Sequence, residues 1–240
     1  MNNQIIFIAD LHLSPTTPKL TSLFDKFITD IAPKADALYI LGDLFKFWAG
    51  DDDCSAFNEQ IKSALKSLNI PKYLMPGNRD FLLGQTFATA SGCTLLSDPS
   101  IINLYNQPTL LTHGDILCTK DLKHRIFRSI TRLPYGIMTF LMLPLRLRIW
   151  LASNIQKYSA KTKLTKNKNI LLPQISAMQK LSTRFHAKQL IHGHIHYPEI
   201  KEFTVASQKI RRIALGAWDD YGNILSYYPN QQCEFKSFTL

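Results

Sequence analysis

The sequence lacks the features that mark several classes of protein. Its 240 residues contain no uninterrupted run of about 18–20 apolar residues, the length that spans a bilayer, which excludes an integral membrane protein. The four cysteines, Cys54, Cys93, Cys118 and Cys233, are scattered and form no C-x-x-C pair, so we expect reduced thiols in a cytosolic protein. The first residues show neither a basic stretch nor a small-residue cleavage site, so we expect a strand there and no secretory signal.

Acidic residues are nearly absent from one region of the chain. Residues 119–188 contain fifteen of the 28 lysines and arginines but a single acid, Asp121, whereas the remaining residues carry a slight excess of acid. Such a basic region fits nucleic acid, an anionic membrane surface or a polyanionic substrate. A solvated helical face is the simpler alternative.

The same region contains an apolar stretch, residues 133–151, that is rich in leucine, methionine and aromatic residues. Pro134 and Pro144 interrupt it, which excludes a transmembrane helix, and it ends close to Arg146 and Arg148. Large apolar side chains beside arginines suit an interfacial element that accommodates acyl chains and phosphate headgroups. The alternative is a helical hairpin buried in a core.

Hydrophobic periodicity predicts an α/β protein of the layered α+β kind, in which two facing mixed β-sheets are flanked by helices. Early strands that alternate with helices indicate parallel pairing, and later hairpin-like strands indicate a second, more antiparallel sheet. We expect one domain over residues 1–240, with a helical insertion at about 119–185. Helices are predicted over 20–32, 56–68 and 82–91. Strands are predicted over 5–9, 37–41, 72–75, 93–96, 101–105, 108–112, 188–191, 203–206, 210–215, 223–228 and 233–238.

Polar residues follow the apolar runs at the carboxyl ends of predicted strands, and such ends converge on one crevice in an α/β sheet. The set combines carboxylate, imidazole and amide groups without a thiolate, which suits Mn²⁺, Fe²⁺ or Zn²⁺. Seven candidate ligands match two ions, which together lower the pKa of a shared water and clamp phosphoryl oxygens. The candidates are Asp10, His12, Asp43, Asn78, His113, His194 and His196.

Other polar residues nearby receive different predictions. We expect Asp80 and Asp115 to orient ligands, because ligating imidazoles and amides need hydrogen-bond partners. His192 lies on the opposite face of its strand from His194, so a supporting or core position is predicted. Residues 51–53 precede a predicted helix, where acids favour the helix dipole. His124, in a polar helical context, is predicted to be solvated.

The order of these motifs resembles that of the calcineurin-like metallophosphoesterases. The blocks that carry the resemblance are Asp10-x-His12, Gly42-Asp43, Gly77-Asn78-Arg79-Asp80, His113-Gly114-Asp115 and Gly193-His194-x-His196. Longer strings, such as residues 77–84 and 215–218, are similar to the branch formed by the bacterial UDP-2,3-diacylglucosamine pyrophosphatases of lipid A biosynthesis. The resemblance implies the calcineurin-like fold with a helical insertion as a lid, and it is weakest over residues 130–185.

The resemblance also implies roles for individual residues. The first metal ion would be held by Asp10, His12, Asp43 and His196. The second would be held by Asp43, Asn78, His113 and His194, with Asp43 bridging the two. Asn78, Arg79 and His194 would act in catalysis. The substrate contacts would be Asn78, Arg79, Asp121, Ser159, Lys163, Lys166 and His194, although the family usually shows Asn or Thr where this chain has Lys163.

The function that the resemblance implies is hydrolysis of UDP-2,3-diacylglucosamine to UMP and 2,3-diacylglucosamine 1-phosphate, with two Mn²⁺ ions and attack of water at the α-phosphorus. The partners would be the lipid-linked nucleotide substrate and the anionic cytoplasmic face of the inner membrane, with no nucleic acid and a monomeric chain. Two alternatives stay open. One is a nuclease or soluble nucleotide phosphodiesterase with the same site, and the other is a binding module on a decayed scaffold, which would have lost ligands.

Overall fold

Two mixed β-sheets form the framework of the chain. The computed structural model describes residues 3–165, 170, 172–205 and 207–240, with side chains as far as residue 155 in the helix that ends at residue 165. Within those residues the strands are β1 (Ile5–Ile8), β2 (Ala37–Leu41), β3 (Lys72–Met75), β4 (Thr94–Leu95), β5 (Ser100–Leu104), β6 (Gln107–Thr112), β7 (Gln189–His192), β8 (Glu199–Val205), β9 (Gln208–Ala214), β10 (Gly222–Tyr227) and β11 (Cys233–Phe238).

The first sheet has the spatial strand order β11, β10, β1, β2, β3, β4. Its strands β1 to β4 run parallel, whereas β10 and β11 are antiparallel to their neighbours. The second sheet has the order β5, β6, β7, β9, β8. Its central strands β6, β7 and β9 are parallel, and the outer strands β5 and β8 are antiparallel. Parallel strands that follow one another place their carboxyl ends at one edge of each sheet.

The predicted fold class, two facing mixed sheets with flanking helices, is confirmed, but the strand assignment differs in one respect. The last two strands join the first sheet, because β10 pairs with β1 and brings Leu225 opposite Phe7. The second sheet is consequently less antiparallel than the hairpin pattern indicated, since its centre consists of β6, β7 and β9. Local sequence spacing does not reveal which sheet a C-terminal hairpin joins.

Aromatic and aliphatic side chains fill the space between the sheets. Phe7 stacks on Tyr39 with ring centroids 4.9 Å apart, and Tyr39 stacks on Tyr73 at 4.5 Å. Leu111 and Ile191 of the second sheet belong to the same core. Because successive side chains of a strand alternate between its faces, the opposite face of each sheet packs against helices.

Three helices cover the outer face of the first sheet, α1 (Pro18–Lys26), α2 (Ala56–Ser67) and α3 (Gln85–Ser91). Helix α1 begins with a proline, whose fixed φ suits the first helical turn. Helix α3 ends where Gly92 adopts a left-handed conformation with φ +67°. On the second sheet, Met178 of α7 (Ile175–Arg184) packs beneath the strands.

The helical insertion (residues 119–185) lies between β6 and β7 in the chain. Its helices are α4 (Leu122–Thr131), α5 (Pro134–Leu141), α6 (Leu145–Thr165) and α7. The described side chains of α5, of the link to α6 and of the first part of α6 are largely exposed, including Tyr135 (80%), Met142 (78%) and Trp150 (60%). The alternative of a buried hairpin is therefore wrong for this stretch. In the described residues, no helix combines the length and apolar character needed to cross a bilayer.

Candidate metal centre

The crevice at the carboxyl ends of β1, β2, β3, β6 and β7 brings together polar side chains that are far apart in sequence. Donor atoms of Asp10, His12 and His196 all lie within 4.8 Å of one another, and so do those of Asp10, Asp43 and His113. Each cluster contains oxygen and nitrogen donors that suit a divalent ion. Two overlapping clusters are the arrangement that a two-ion site requires.

Backbone strain is concentrated in the same residues. Five of the seven candidate ligands adopt a left-handed conformation with φ between +52° and +71°. For residues other than glycine this conformation costs about 1–3 kcal/mol each, and it clusters at functional sites because the surrounding structure compensates the cost. The five are Asp10, His12, Asp43, His194 and His196.

Two glycines allow the loops of the crevice to approach closely. Gly42 has φ +90°, and a Cβ atom there would lie 2.7 Å from the Cα of Gly77. A Cβ atom on Gly77 would in turn lie 2.9 Å from the carboxylate carbon of Asp43. Both distances are shorter than a normal contact, so only glycine lets the β2 and β3 loops carry their polar residues together.

His113 and Asn78 face each other through atoms that both accept hydrogen bonds. The Nδ1–H of His113 donates to the Leu41 carbonyl at 3.0 Å, which leaves Nε2 as an acceptor in the neutral ring. That Nε2 atom lies 2.9 Å from the Asn78 side chain, recorded at Oδ1. Burial would lower the pKa of His113, but the charges of Asp43 and Asp10 raise the pKa to about 9. With the Asn78 oxygen in this position, a proton or a metal ion between the two atoms would satisfy both acceptors.

Asp43 lies between the two halves of the crevice. Its Oδ2 atom is 3.8 Å from His12 Nδ1, and its Oδ1 atom is 3.7 Å from His113 Nε2. The backbone N–H of Arg79 donates to Oδ1 at 2.8 Å, which orients the carboxylate. Burial raises the pKa of Asp43 to about 7, and nearby carboxylates add to the effect. A carboxylate with one oxygen toward each half has the geometry of a bridging ligand.

The half of the crevice formed by Asp10, His12 and His196 contains buried atoms without hydrogen-bond partners. Asp10 Oδ1 and His12 Nδ1 are both of this kind, whereas Asp10 Oδ2 accepts from the backbone N–H of His194 at 2.7 Å. Asp10 Oδ1 lies 3.5 Å from His196 Nε2. Burial lowers the pKa of His12 to about 3, which keeps the imidazole neutral, the form that ligates metals. Unpartnered buried acceptors at one point fit a bound cation.

His194 and Arg79 stand at the edge of these clusters. The ring of His194 lies edge-on to that of His113, with centroids 5.1 Å apart, and burial lowers the pKa of His194 to about 3. The Nε atom of Arg79 is 3.5 Å from Asp43 Oδ2, and a third of the Arg79 side chain is exposed. The guanidinium therefore faces both the crevice and the solvent, where a ligand would enter.

The remaining predicted substrate contacts belong to the insertion. Asp121 is buried at the start of α4, where its side chain accepts from the backbone N–H of His124 at 3.1 Å. It therefore serves as the N-cap of that helix. The side chains of Ser159 and Lys163, and the whole of Lys166, lie outside the described residues.

Asp80 and Asp115 hold the loops of the crevice through backbone N–H groups and an arginine, whereas the sequence predicts hydrogen bonds to ligating imidazoles and amides. Asp80 is fully buried and accepts from the backbone N–H groups of Gly77, Asp43 and Phe45 at 2.7–3.2 Å. Asp115 accepts from Arg128 Nε at 2.9 Å. These contacts hold the β2, β3 and β6 loops and leave the side-chain donor atoms of the candidate ligands free of them.

The structure corrects two predictions for neighbouring residues and agrees with a third. His124 is half-buried, with its ring 5.9 Å from that of His194, because the first turn of α4 directs it toward the crevice. Asp51 accepts from the N–H groups of Gly84 and Phe87 at the start of α3. It therefore stabilises the N-terminus of α3 and not that of α2, the next helix in the sequence. His192 is buried and accepts from Arg212 Nε at 2.9 Å, which agrees with the predicted core position.

Comparison with known proteins gives consistent results. The family model for calcineurin-like phosphoesterases matches residues 4–198. The chain is 42% identical over 237 residues to a UDP-2,3-diacylglucosamine hydrolase of Coxiella burnetii, covering 98% of each chain. It is also 42% identical to the protein of that name from Aeromonas salmonicida, covering 95% of this chain and 91% of the relative.

Among solved structures, the fold is similar to that of TT1561 of Thermus thermophilus. The TM-score is 0.50 at 12% sequence identity, with 99% of each chain covered, which supports the fold alone. The family fold and the clustered aspartates and histidines imply divalent metal ions. The match of a family model over most of the chain and the identity to full-length relatives show that this metal-dependent hydrolase belongs to the calcineurin-like phosphoesterase family.

Proposed function

We propose that the chain hydrolyses UDP-2,3-diacylglucosamine to UMP and 2,3-diacylglucosamine 1-phosphate, working as one domain over residues 1–240. The observation that carries the proposal is the crevice, in which two overlapping donor clusters share Asp10, and Asp43 of the second cluster also faces His12 of the first. The relatives at 42% identity over nearly the full chain carry the name of this activity. A decayed binding module would have lost ligands, yet all seven candidate side chains are present.

Two Mn²⁺ ions are the proposed cofactor, held by the seven candidate ligands with Asp43 shared. Carboxylate, amide oxygen and neutral imidazole form a mixed hard and borderline donor set, which suits Mn²⁺. When bound, such ions supply a water nucleophile of lowered pKa and neutralise charge on the phosphoryl oxygens. Chelation followed by reconstitution with Mn²⁺, Mg²⁺ or Zn²⁺ tests the choice, and the highest turnover is expected with Mn²⁺.

The chain's own residues would bind and orient the diphosphate. Arg79, which is partly exposed beside Asp43, would donate from two nitrogens to a pair of phosphate oxygens. His194, fixed through its backbone N–H to Asp10, would donate a hydrogen bond to the charge that develops on the phosphoryl group. Asn78 and Asp121 are proposed to contact the substrate, as are Ser159, Lys163 and Lys166.

The insertion supports a lipid substrate over a nucleic acid. It forms a shallow, open apolar depression, lined by Arg132, Pro134, Ile137, Met138, Leu141 and Met142, and Arg132 connects it to the Gly77 carbonyl of the crevice. A nucleic-acid surface would interleave basic residues with polar ones for phosphates and bases. Here the walls of the depression are methionine, leucine and isoleucine, which suit acyl chains, with one arginine at the rim.

We also propose that the insertion docks the monomeric protein peripherally on the cytoplasmic face of the inner membrane. Exposed apolar side chains such as Tyr135, Met142 and Trp150 occur in a region with almost no acid, the combination that binds anionic lipid. Sedimentation with phosphatidylglycerol vesicles should recover the protein, and neutral vesicles should not. Arg146→Glu should weaken recovery more than Lys34→Glu, an exposed control outside the insertion.

Hydrolysis in ¹⁸O-labelled water tests the reaction itself. With Mn²⁺ and the acylated UDP-sugar, we expect the label in UMP, since water attacks the α-phosphorus. Label in the sugar phosphate would show attack at the other phosphorus and would overturn that part of the proposal. Absence of turnover, combined with cleavage of RNA, DNA or a soluble nucleotide diester, would favour the nuclease alternative.

A further inference from the structure

Helix α4 reaches the crevice through two arginines that are not among the candidate ligands. Arg128 lies within α4, and Arg132 follows the helix directly, one turn later. Because residues four apart lie on one face of a helix, both point toward the sheets. Sequence reasoning counted them only as part of the basic charge of the insertion.

Arg128 contacts two buried carboxylates on either side of His113. Its Nε atom donates to Asp115 Oδ2 at 2.9 Å, and its Nη2 atom donates to Asp98 Oδ2 at 3.0 Å. The side chains of Asp115 and Asp98 are 0% and 1% exposed, so water provides little compensation for their charge. Carboxylates this deeply buried need a cationic partner.

These two carboxylates determine where the His113 loop lies. Asp98 Oδ1 accepts from the hydroxyl of Thr112 at 2.6 Å and from the backbone N–H of His113 at 3.2 Å. Asp115 begins the 3₁₀ turn that follows His113. Arg128 therefore fixes the His113 loop through two carboxylates. Asp98 bonds to the backbone of His113, and Asp115 follows His113 in the chain.

Arg132 makes the corresponding contact on the neighbouring loop. Its Nη2 atom donates to the Gly77 carbonyl at 2.9 Å, at the peptide that leads into Asn78. The Asn78 side chain then meets His113 Nε2 at 2.9 Å. The two arginines thus support the two loops whose side chains face each other in one half of the crevice.

The other half of the crevice is held in a different way. The backbone N–H of Asp10 donates to the Gly42 carbonyl at 3.0 Å, and that of His12 donates to the Asp43 carbonyl at 3.0 Å. The backbone N–H of His194 donates to Asp10 Oδ2. These bonds connect the loops after β1, β2 and β7 to one another, without a side chain of α4.

We propose that Arg128 and Arg132 are positioning residues that make the Asn78–His113 metal site depend on the docking of α4. The inference rests on the proposed function, because it adopts the ligand assignment given there. When α4 is in place, the arginines hold Asn78 and His113 at ligating distance. When the arginines are removed, the Asp98 and Asp115 carboxylates draw their loop toward water and the site loses affinity, while the Asp10–His12–His196 site keeps its ion.

Titration of metal-free protein with Mn²⁺, followed by calorimetry, tests this dependence without measuring activity. Wild-type protein should bind two ions. The Arg128→Ala/Arg132→Ala variant should bind one ion with unchanged affinity and a second about 10–100-fold more weakly, the effect expected when supporting groups of ligands are lost. Arg125→Ala is the matched control, because Arg125 is an exposed arginine of the same helix that donates to the Thr119 carbonyl.

A conservative variant keeps the test decisive if the double variant does not fold, which circular dichroism would reveal. Arg128→Lys retains the charge beside Asp98 and Asp115 but lacks the fork of donors that reaches both, so the second Mn²⁺ should bind about 5–10-fold more weakly. Two bound ions with unchanged affinity in this variant, or equal weakening of both ions, would overturn the inference. Fewer than two ions in wild-type protein would instead contradict the proposed function.

Discussion

The crevice buries polar side chains, whereas the insertion exposes apolar ones. In the crevice, the polar groups of Asp10, Asp80 and His113 are fully buried, whereas in the insertion Tyr135 and Met142 are about four-fifths exposed. Both arrangements are unfavourable in isolation, because buried charge lacks hydration and exposed apolar surface orders water. The difference indicates how each region would gain a partner, and the proposed partners are metal ions for the crevice and lipid for the insertion.

The largest effect that would test this comparison is expected at the centre of the crevice. Asp43→Asn removes the charge that lies between His12 and His113, and we expect activity to fall by about 10³-fold or more, at the upper end for loss of one electrostatic stabiliser. Hydrolysis of the acylated UDP-sugar measures it, with Asp30→Asn as an exposed acid control. Retention of a tenth of the wild-type activity would show that Asp43 is not shared between ions.

A smaller effect, on Mn²⁺ affinity, is expected at Asp80, which holds the ligand loops but is not itself a candidate ligand. Asp80→Asn keeps the shape of the side chain but replaces one acceptor oxygen with an amide that faces backbone N–H groups of Gly77, Asp43 and Phe45. We expect Mn²⁺ affinity to fall by about 10–100-fold, as for other groups that orient ligands. Calorimetric titration of metal-free protein measures this change. Unchanged affinity would mean that the loops hold their positions without Asp80.

The insertion should respond through substrate affinity and not through turnover. Met138→Asp places a charge in the apolar depression, and we expect KM for the acylated substrate to rise by about tenfold. The reason is that loss of burial for one such side chain costs about 1.5–3 kcal/mol. Turnover of a UDP-sugar without acyl chains should be unchanged. Tyr221→Asp, an exposed aromatic outside the insertion, is the control, and an equal effect there would contradict a specific role for the depression.

The pH dependence of stability should report the histidines that burial keeps neutral, both in the crevice and in the core. Burial lowers the pKa of His12, His192 and His194 to about 3, so these rings are neutral in the fold and gain protons on unfolding below pH 6.5. Stability therefore falls as the pH falls from 6.5 toward 3. Burial raises the pKa of Asp43 to about 7, so between pH 4 and 7 this carboxyl is protonated in the fold and loses its proton on unfolding. Asp43 therefore partly offsets the loss of stability that the histidines cause.

Thermal unfolding of chelator-treated protein at pH 6.5, 5.5 and 4.5 measures this smallest effect, a decrease of several degrees in Tm. Ser176→Ala, at an exposed residue that does not titrate, should leave the slope unchanged, whereas His192→Gln should make it shallower. A flat profile would show that the buried histidines are not neutral in the fold.

Much of the fold could be predicted because its elements are encoded locally. Buried parallel strands such as β2 read as continuous apolar runs, and β1, β2 and β3 each end near a polar candidate ligand. The partner of β10 could not be predicted, since strand pairing between distant segments depends on packing in the whole molecule. The sequence also predicts a solvated His124. This prediction is wrong because a helical pattern does not specify which face of α4 packs against the sheets.

The sequence alone determined which chemical groups this protein has and the order in which they follow the strands. Residue type and spacing suffice for that, because the carboxyl ends of parallel strands meet by geometry. The tertiary structure alone decided the contacts between elements far apart in the chain. It placed Asp43 between His12 and His113, left Asp10 Oδ1 without a hydrogen-bond partner, and set Arg128 against Asp98 and Asp115. Such contacts arise from three-dimensional packing, which no local pattern of residues records.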